Sequence, residues 1–272
     1  TAIYGEQGVN LRGAKATTTQ TARAEFKNET ARLKTGLSSQ DSSVQHYTAT
    51  ELTTEQDLIL GGKGDVHLTG VVANVDGALL AKNSGSLSFG SERSSESYNL
   101  SDDMRFWGGL AGSKTVGTGR SAETVHGADF TVKGDATLDA SRGVHISGSR
   151  VVTGGNGVVK GNAGALVIDS TQAKTTAVDY ARQGTIFDIT KARQSSYTHT
   201  STAKGSTLKS ASNLQLSTNK NVSIVGSTVQ SAGLLDIAAK SGIEVKGAAN
   251  HVRTESSKAG FSFAGGFDSL KT

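Results

Sequence analysis

Val66, Val144 and Val222 occupy the same place in three similar stretches of sequence, at a constant 78-residue spacing (144 less 66, 222 less 144). The stretches read LILGGKGDVHLTG from Leu58 to Gly70, ATLDASRGVHISG from Ala136 to Gly148, and LQLSTNKNVSIVG from Leu214 to Gly226. They align without gaps. The match extends upstream through Leu52, Phe130 and Leu208, and downstream to a glycine followed by alternating apolar residues at Gly85, Gly164 and Gly242. Gly8-Val9-Asn10-Leu11 supplies a truncated fourth copy. A fixed long period means that units stack and bury a face on one another, which points to a solenoid.

Inside each unit runs a shorter step. Leu58 to Leu79, Val66 to Leu87, Leu214 to Leu235 and Val222 to Ile243 are each a 21-residue step (79 less 58, and so on), while Val144 to Leu166 is a 22-residue one. Each step holds apolar-x-apolar pieces separated by glycine, asparagine, serine or lysine, the pattern of short half-buried strands between turns. No 3.6-residue periodicity runs long enough for a helix. The expected fold is therefore all-β: a right-handed parallel β-helix with coils of about 21 residues, stacked at about 4.8 Å. Leu58, Leu60, Val66, Leu68 and their equivalents should point inward as aliphatic ladders, with Gly70, Gly148 and Gly226 at corners.

Two coils use roughly 42 residues of each period and leave about 36 for an insert. The inserts fall at approximately 12–45, 90–125, 169–201 and 246–272, within a single repetitive segment covering 1–272 that reads as part of a much longer protein. The start carries no leader-like pattern and looks like an internal cut. Both ends should expose an open coil and favour end-to-end association. The inserts are rich in serine, threonine and charge, and hold Phe26, Tyr47, Tyr98, Phe106, Trp107, Tyr180, Phe187 and Tyr197. Such interleaved aromatics argue against disorder. Extended strand pairs or irregular coils lying against one flank are expected.

Composition narrows the function classes. Aromatic residues make up 5% of the chain, which suits a thin core shared along a fibre. The absence of cysteine excludes disulfides and cysteine-ligated metal, and suits export of an unfolded chain. No apolar run approaches the roughly 18 residues of a membrane helix. A net charge of +4 is too mild for a nucleic-acid binder, so no nucleic-acid partner is expected.

Candidate sites are few. His67 and His145 share a repeat position but should face outward and lie too far apart for one metal ion. Asp102 and Asp103 near Arg105 are the closest approach to a catalytic carboxylate cluster, and no second partner set accompanies them. Gly155-Asn156-Gly157 with Gly161 lacks the spacing of a phosphate loop and reads as a turn. No catalytic residue, metal site or cofactor is therefore expected. Two groups remain as candidate contacts with an envelope or partner. Arg12, Lys15, Arg23, Lys27, Arg32 and Lys34 form a basic stretch opposed only by Glu25 and Glu29, which could attract phosphates, sulfated glycans or anionic lipid. Phe106 and Trp107 centre the apolar run from Met104 to Leu110, which could touch a partner or cap an insert against the solenoid.

The run GLLDIAAKSGIEV from Gly233 to Val245 resembles the filamentous haemagglutinin repeat, as do Gly226 to Gly233, Thr254 to Phe263 and Ser206 to Leu216. The resemblance implies a large two-partner-secretion exoprotein of a Gram-negative bacterium, either a haemagglutinin-like adhesin or a contact-dependent growth inhibition protein. Long inserts between coil pairs are most similar to the second, membrane-distal repeat region of the inhibition proteins. That likeness implies a non-enzymatic, secreted, cell-surface segment involved in contact with a target cell's outer membrane and in toxin delivery. The partners it implies are that membrane or a surface glycan, and the outer-membrane transporter of a two-partner secretion system. An adhesin shaft is the alternative, and a polysaccharide-processing β-helix enzyme a more distant third.

Overall fold

The computed structural model describes residues 1–27, 34–106, 111–185, 190–262 and 266–271. Among them every regular element is a strand, and the short strands wind into three parallel sheets. The first sheet runs Ala2–Gly5, Leu58–Gly62, Leu79–Asn83, Ala136–Ala140, Gly157–Gly161, Leu214–Thr218 and Leu235–Ala239. The second takes Gly8–Arg12, Asp65–Thr69, the start of Leu87–Phe106, Val144–Ser147, Leu166–Asp169, Asn221–Val225 and Gly242–Lys246. The third takes Thr50–Thr54, Val71–Val75, Asp129–Val132, Arg150–Thr153, Thr207–Ser210 and Thr228–Ser231. The chain visits the three in turn, one strand in each per coil. The architecture is the parallel β-solenoid that the alternation implied.

Register explains the double period. Leu58 pairs with Leu79, a 21-residue step (79 less 58), and Leu79 with Ala136, a 57-residue step (136 less 79). The same two steps recur from Ala136 to Gly157 and from Gly157 to Leu214. A short step and a long step together make the 78-residue repeat. The 22-residue step from Val144 to Leu166 is followed by one of 56 to Val222, so the extra residue is absorbed in the corner before Leu166 and register recovers.

The inward side chains follow the sequence ladders. Leu58, Leu60, Val66, Leu68, Leu138, Ile146, Leu214 and Leu216 are buried. Phe89 and Phe130, from the second and third sheets, meet edge to face with centroids 5.0 Å apart and are also fully buried. That geometry suits the ring quadrupoles. Polar corner groups are satisfied by buried hydroxyls. Ser149 Oγ accepts from the Ala128 amide at 3.0 Å and donates to the Gly90 carbonyl at 3.1 Å, and Ser206 Oγ donates to the Ile146 carbonyl at 2.9 Å. Unpaired, these backbone groups would cost free energy in an apolar interior.

Long and short steps differ at one corner, between the second sheet and the third. In coils with a short passage there, Gly70, Gly148 and Gly226 turn the chain with φ of 60°, 57° and 56°, a left-handed conformation that glycine adopts without strain. In alternate coils the chain instead leaves as a long antiparallel hairpin. The hairpin arms are Ala14–Lys27 with Lys34–Thr48, the outer part of Leu87–Phe106 with Gly112–Gly127, Thr171–Thr185 with Thr190–Lys204, and His251–Ser262 with Gly266–Lys271. The inserts are thus hairpins. They do not lie against a flank of the solenoid as expected, because their extensive contacts are with one another.

Candidate functional site

A hairpin two strands wide occupies about 9.6 Å across its strands, and two coils rise by the same distance, since both use the spacing of hydrogen-bonded strands. Hairpins on alternate coils therefore meet edge to edge with neither gap nor overlap. The structure shows these seams in register. Val44 to Lys34 pair antiparallel with Glu96 to Phe106, Gly112 to Ala122 with Thr185 to Thr175, and Thr190 to Ser201 with Ser262 to His251. Eight hairpin strands form one continuous sheet, a fin running parallel to the shaft axis. Arms of about 14 residues reach roughly 48 Å from the shaft.

The fin has two faces and no core of its own. One presents Val44, Glu96, Ala122, Thr175 and Thr200 in a row; the other presents Ser43, Ser97, Ser121, Thr176 and His199. Most of these residues are partly or fully exposed. Beyond the backbone ladder, the sheet is tied by polar pairs between neighbouring strands: Thr118 to Asp179 at 2.7 Å, Arg120 to Asp179 at 3.0 Å, Thr176 with His199 at 3.1 Å and Ser195 with Ser257 at 2.8 Å. Cross-strand pairs of this kind each contribute a few tenths of a kcal/mol up to about 1 kcal/mol.

The base of the fin is more closely packed. Glu92 receives Lys15 at 2.6 Å and Arg12 at 3.3 Å, and these cations hold its carboxyl below the usual range, Lys15 foremost. Tyr47 stacks on His126 with centroids 4.1 Å apart and donates its hydroxyl to the Gly70 carbonyl. Burial, and then the nearby Lys204 and Lys15, push the His126 imidazole toward its neutral form. Lys204 reaches the Val125 carbonyl at 2.7 Å, and Arg93 reaches Thr171 at 3.0 Å. The ion pairs, the stacked rings and these last two bonds each join one insert to the next, through residues about one period apart.

This geometry divides the basic stretch read from sequence. Arg12 and Lys15 pair with Glu92 at the base, Arg23 lies exposed along the first arm, and Lys27 and Lys34 stand at the outer ends of the first hairpin's arms. Phe106, 37% exposed, lies at the outer end of its own arm, opposite Lys34 across the seam. Basic and aromatic candidates from different inserts are thus brought together at the free end. Arg32 and Trp107 lie outside the described residues. Phe106 is far from the shaft, so no capping role against the solenoid applies to it. The pairing of hairpins was not visible in sequence. Its one trace was the length of the inserts, which suits two arms and a turn.

The remaining candidates stay apart. Asp102 and Asp103 are consecutive in a strand and so project to opposite faces; Asp103 accepts from Thr115 at 3.0 Å. His67 and His145 stand on the second sheet with the strand beginning at Leu87 between theirs. His145 instead pairs with Asp169 at 3.1 Å, a hydrogen bond that raises its pKa. Asn156 forms part of a turn whose amide is accepted by Asp135 at 2.6 Å. Asp57 and Asn213, at the equivalent positions, accept from the Ala78 and Leu234 amides at 2.8 Å, and this ladder of turn acceptors was missed in sequence. No group of three or more metal-ligating side chains gathers among the described residues.

Comparison with known proteins agrees with this architecture. Residues 187–271 match the family described as Hemagglutinin repeat, a span that includes an arm of the third hairpin, the strands of two coils and the fourth hairpin. Over 264 residues, 97% of the chain, the sequence is 26% identical to a protein named Hemolysin from Proteus mirabilis. Over 247 residues, 90% of the chain, it is 28% identical to a protein named Hemolysin from Serratia marcescens. The chain spans only 17% and 15% of the length of those relatives. No solved structure matches.

Proposed function

We propose that this chain is a non-enzymatic segment of a secreted two-partner-secretion exoprotein, exported by an outer-membrane transporter and held at the bacterial surface, where its fin contacts the outer membrane of a target cell. The observation that carries this reading is the fin. It is a sheet open on both faces, standing clear of a shaft whose inward-facing apolar side chains form one buried core. The shaft supplies stiffness and spacing, and the fin supplies contact area. Each coil rests on its neighbours alone, so a chain emerging unfolded from a transporter can add coils in order.

The finer reading is contact-dependent growth inhibition, with the repeat region assisting passage of a toxin into the target cell. A second reading is favoured by a specific observation: both relatives are named Hemolysin, and they align over nearly all of this chain. In that reading the same fin serves a protein that lyses cells. The test is replacement of each hairpin by a short glycine corner within the whole exoprotein, followed by secretion, attachment, target-cell killing and red-cell lysis. Contact by the fin predicts normal secretion with killing or lysis strongly reduced, and which of the two falls separates the readings. Loss of attachment alone would favour an adhesin shaft. Unchanged killing, lysis and attachment would contradict the proposal, and turnover of an acidic polysaccharide would contradict its non-enzymatic part.

A further inference from the structure

Near the free end of the fin, the register places cations on both faces. Arg182 and Arg193 lie directly opposite one another on neighbouring strands, in a row that continues through Thr115 on one side and Ala259 on the other. Like charges in that position destabilise a sheet. Among the described residues neither arginine finds a carboxylate. Asp103, in the same row, is taken by Thr115 at 3.0 Å and by Arg105 at 3.5 Å, and Asp179 is held by Arg120. The next row outward on this face brings Arg105 and Lys191 to either side of Ser113 and Gly184.

The opposite face carries Lys114 and Lys258, exposed at two sides of a groove of about 510 Å³ whose other lining includes Ala181, Gln183, Ala192 and Gly260. Among the described residues no carboxylate lines it. In the edge strand beyond, the register sets Asp268 opposite Gly260 and Lys271 opposite Ser257. Phe106 lies at the same end, opposite Lys34 and Gly112.

From this arrangement we infer that the free end of the fin is a docking edge for an anionic bilayer, entering the phosphate layer end-on with cations on both of its faces. A discrete polyanion such as a sulfated glycan would need one cationic face. An edge pushed between lipid headgroups meets phosphate on both sides, and the apolar Phe106 ring can bury at the boundary between headgroups and acyl chains. Folding gives no reason to keep Arg182 opposite Arg193, whereas a shared phosphate oxygen cluster does. The inference rests on the fin's being an envelope-contact surface and assigns the chemistry of that contact.

The experiment is vesicle flotation of the 272-residue chain, using phosphatidylcholine vesicles with and without phosphatidylglycerol. Three double variants are compared: Arg182→Gln with Arg193→Gln, Lys114→Gln with Lys258→Gln, and a shaft control of Lys160→Gln with Lys209→Gln. The chain should bind anionic and not neutral vesicles. Each distal double variant should bind about 30-fold more weakly, two cations at about 1 kcal/mol each, while the control stays within about threefold. The arginine variant relieves repulsion and should unfold at no lower urea than the parent, so its loss of binding would not reflect misfolding. Equal losses in the control, a loss from one face alone, or heparin binding without vesicle binding would each overturn the inference. Binding to intact target cells without vesicle binding overturns it while leaving the envelope-contact reading in place. Absence of binding to intact cells overturns that reading itself.

Discussion

Gly148 turns the shaft at φ 57°, and a Cβ there would meet the Thr171 methyl at 2.5 Å. Alanine at this position faces left-handed strain of about 1 kcal/mol together with that clash, so Gly148→Ala should cost roughly 1–3 kcal/mol, read as a lowered urea midpoint at unchanged slope. A second residue-scale device is the His145–Asp169 pair. The hydrogen bond to Asp169 raises the imidazole pKa against the effect of burial. Burial alone would raise the Asp169 carboxyl, but its bonds, first that from His145, hold it below the usual value. A raised folded pKa gives stability that is complete below the unfolded histidine value and lost as pH rises through the folded one. A lowered folded pKa gives stability present above the unfolded aspartate value and lost as pH falls through the folded one. The pair therefore contributes most between about pH 4 and 6.5. Urea midpoints of the parent and of His145→Gln should differ most near pH 5.5 and by less as pH rises. The difference between the two proteins is the relevant reading, because His126 is held toward neutrality and contributes in the opposite sense as pH falls. A gap that persists unchanged at pH 8 would remove the charge from the account.

At the scale of elements, the shaft strands were legible in sequence and the hairpin strands were not. Leu58 and Leu60 flank the exposed Ile59, and Val66 and Leu68 flank the exposed His67, because one face of each strand is buried, and burial writes a period of two into the chain. Thr171–Thr185 has neither face buried, so no alternation marks it and serine, threonine and charge are allowed throughout. Its partners are fixed by where the shaft delivers it, not by its own pattern. The basic stretch failed to read as two separate groups for the same reason. Arg12 and Lys15 both pair with Glu92, a residue far along the chain that only the seam brings near. Replacing residues 91–127 with a single glycine corner should test this dependence. By amide hydrogen exchange, protection in Leu58–Gly62 and Ala136–Ala140 should persist, while Lys34–Thr48 and Thr171–Thr185, each losing a neighbour, should exchange faster. Loss of shaft protection as well would mean that the fin and shaft fold as one unit.

At the scale of the whole molecule, one distance sets the design. Strands in the shaft and strands in the fin share the spacing of about 4.8 Å, so a hairpin on every second coil fills the fin completely. A hairpin on every coil would crowd it, and one on every third would leave an open edge prone to unwanted pairing. The 78-residue period is the sequence record of that match, and it places charged and aromatic arm ends in a line along the free margin. The chain contains no cysteine, which makes the seam directly testable. Ser43 and Ser97 lie opposite one another across the junction of the first and second hairpins, and Ser121 lies one strand further on. Opposed residues of antiparallel strands stand about 4.5–5.5 Å apart, within disulfide reach, whereas two strands' separation is about 10 Å and beyond it. Under mild oxidation, Ser43→Cys with Ser97→Cys should therefore cross-link within the monomer almost completely, and Ser43→Cys with Ser121→Cys should not. Failure of the first pair to cross-link, or equal cross-linking of both, would contradict a fin of hairpins paired edge to edge.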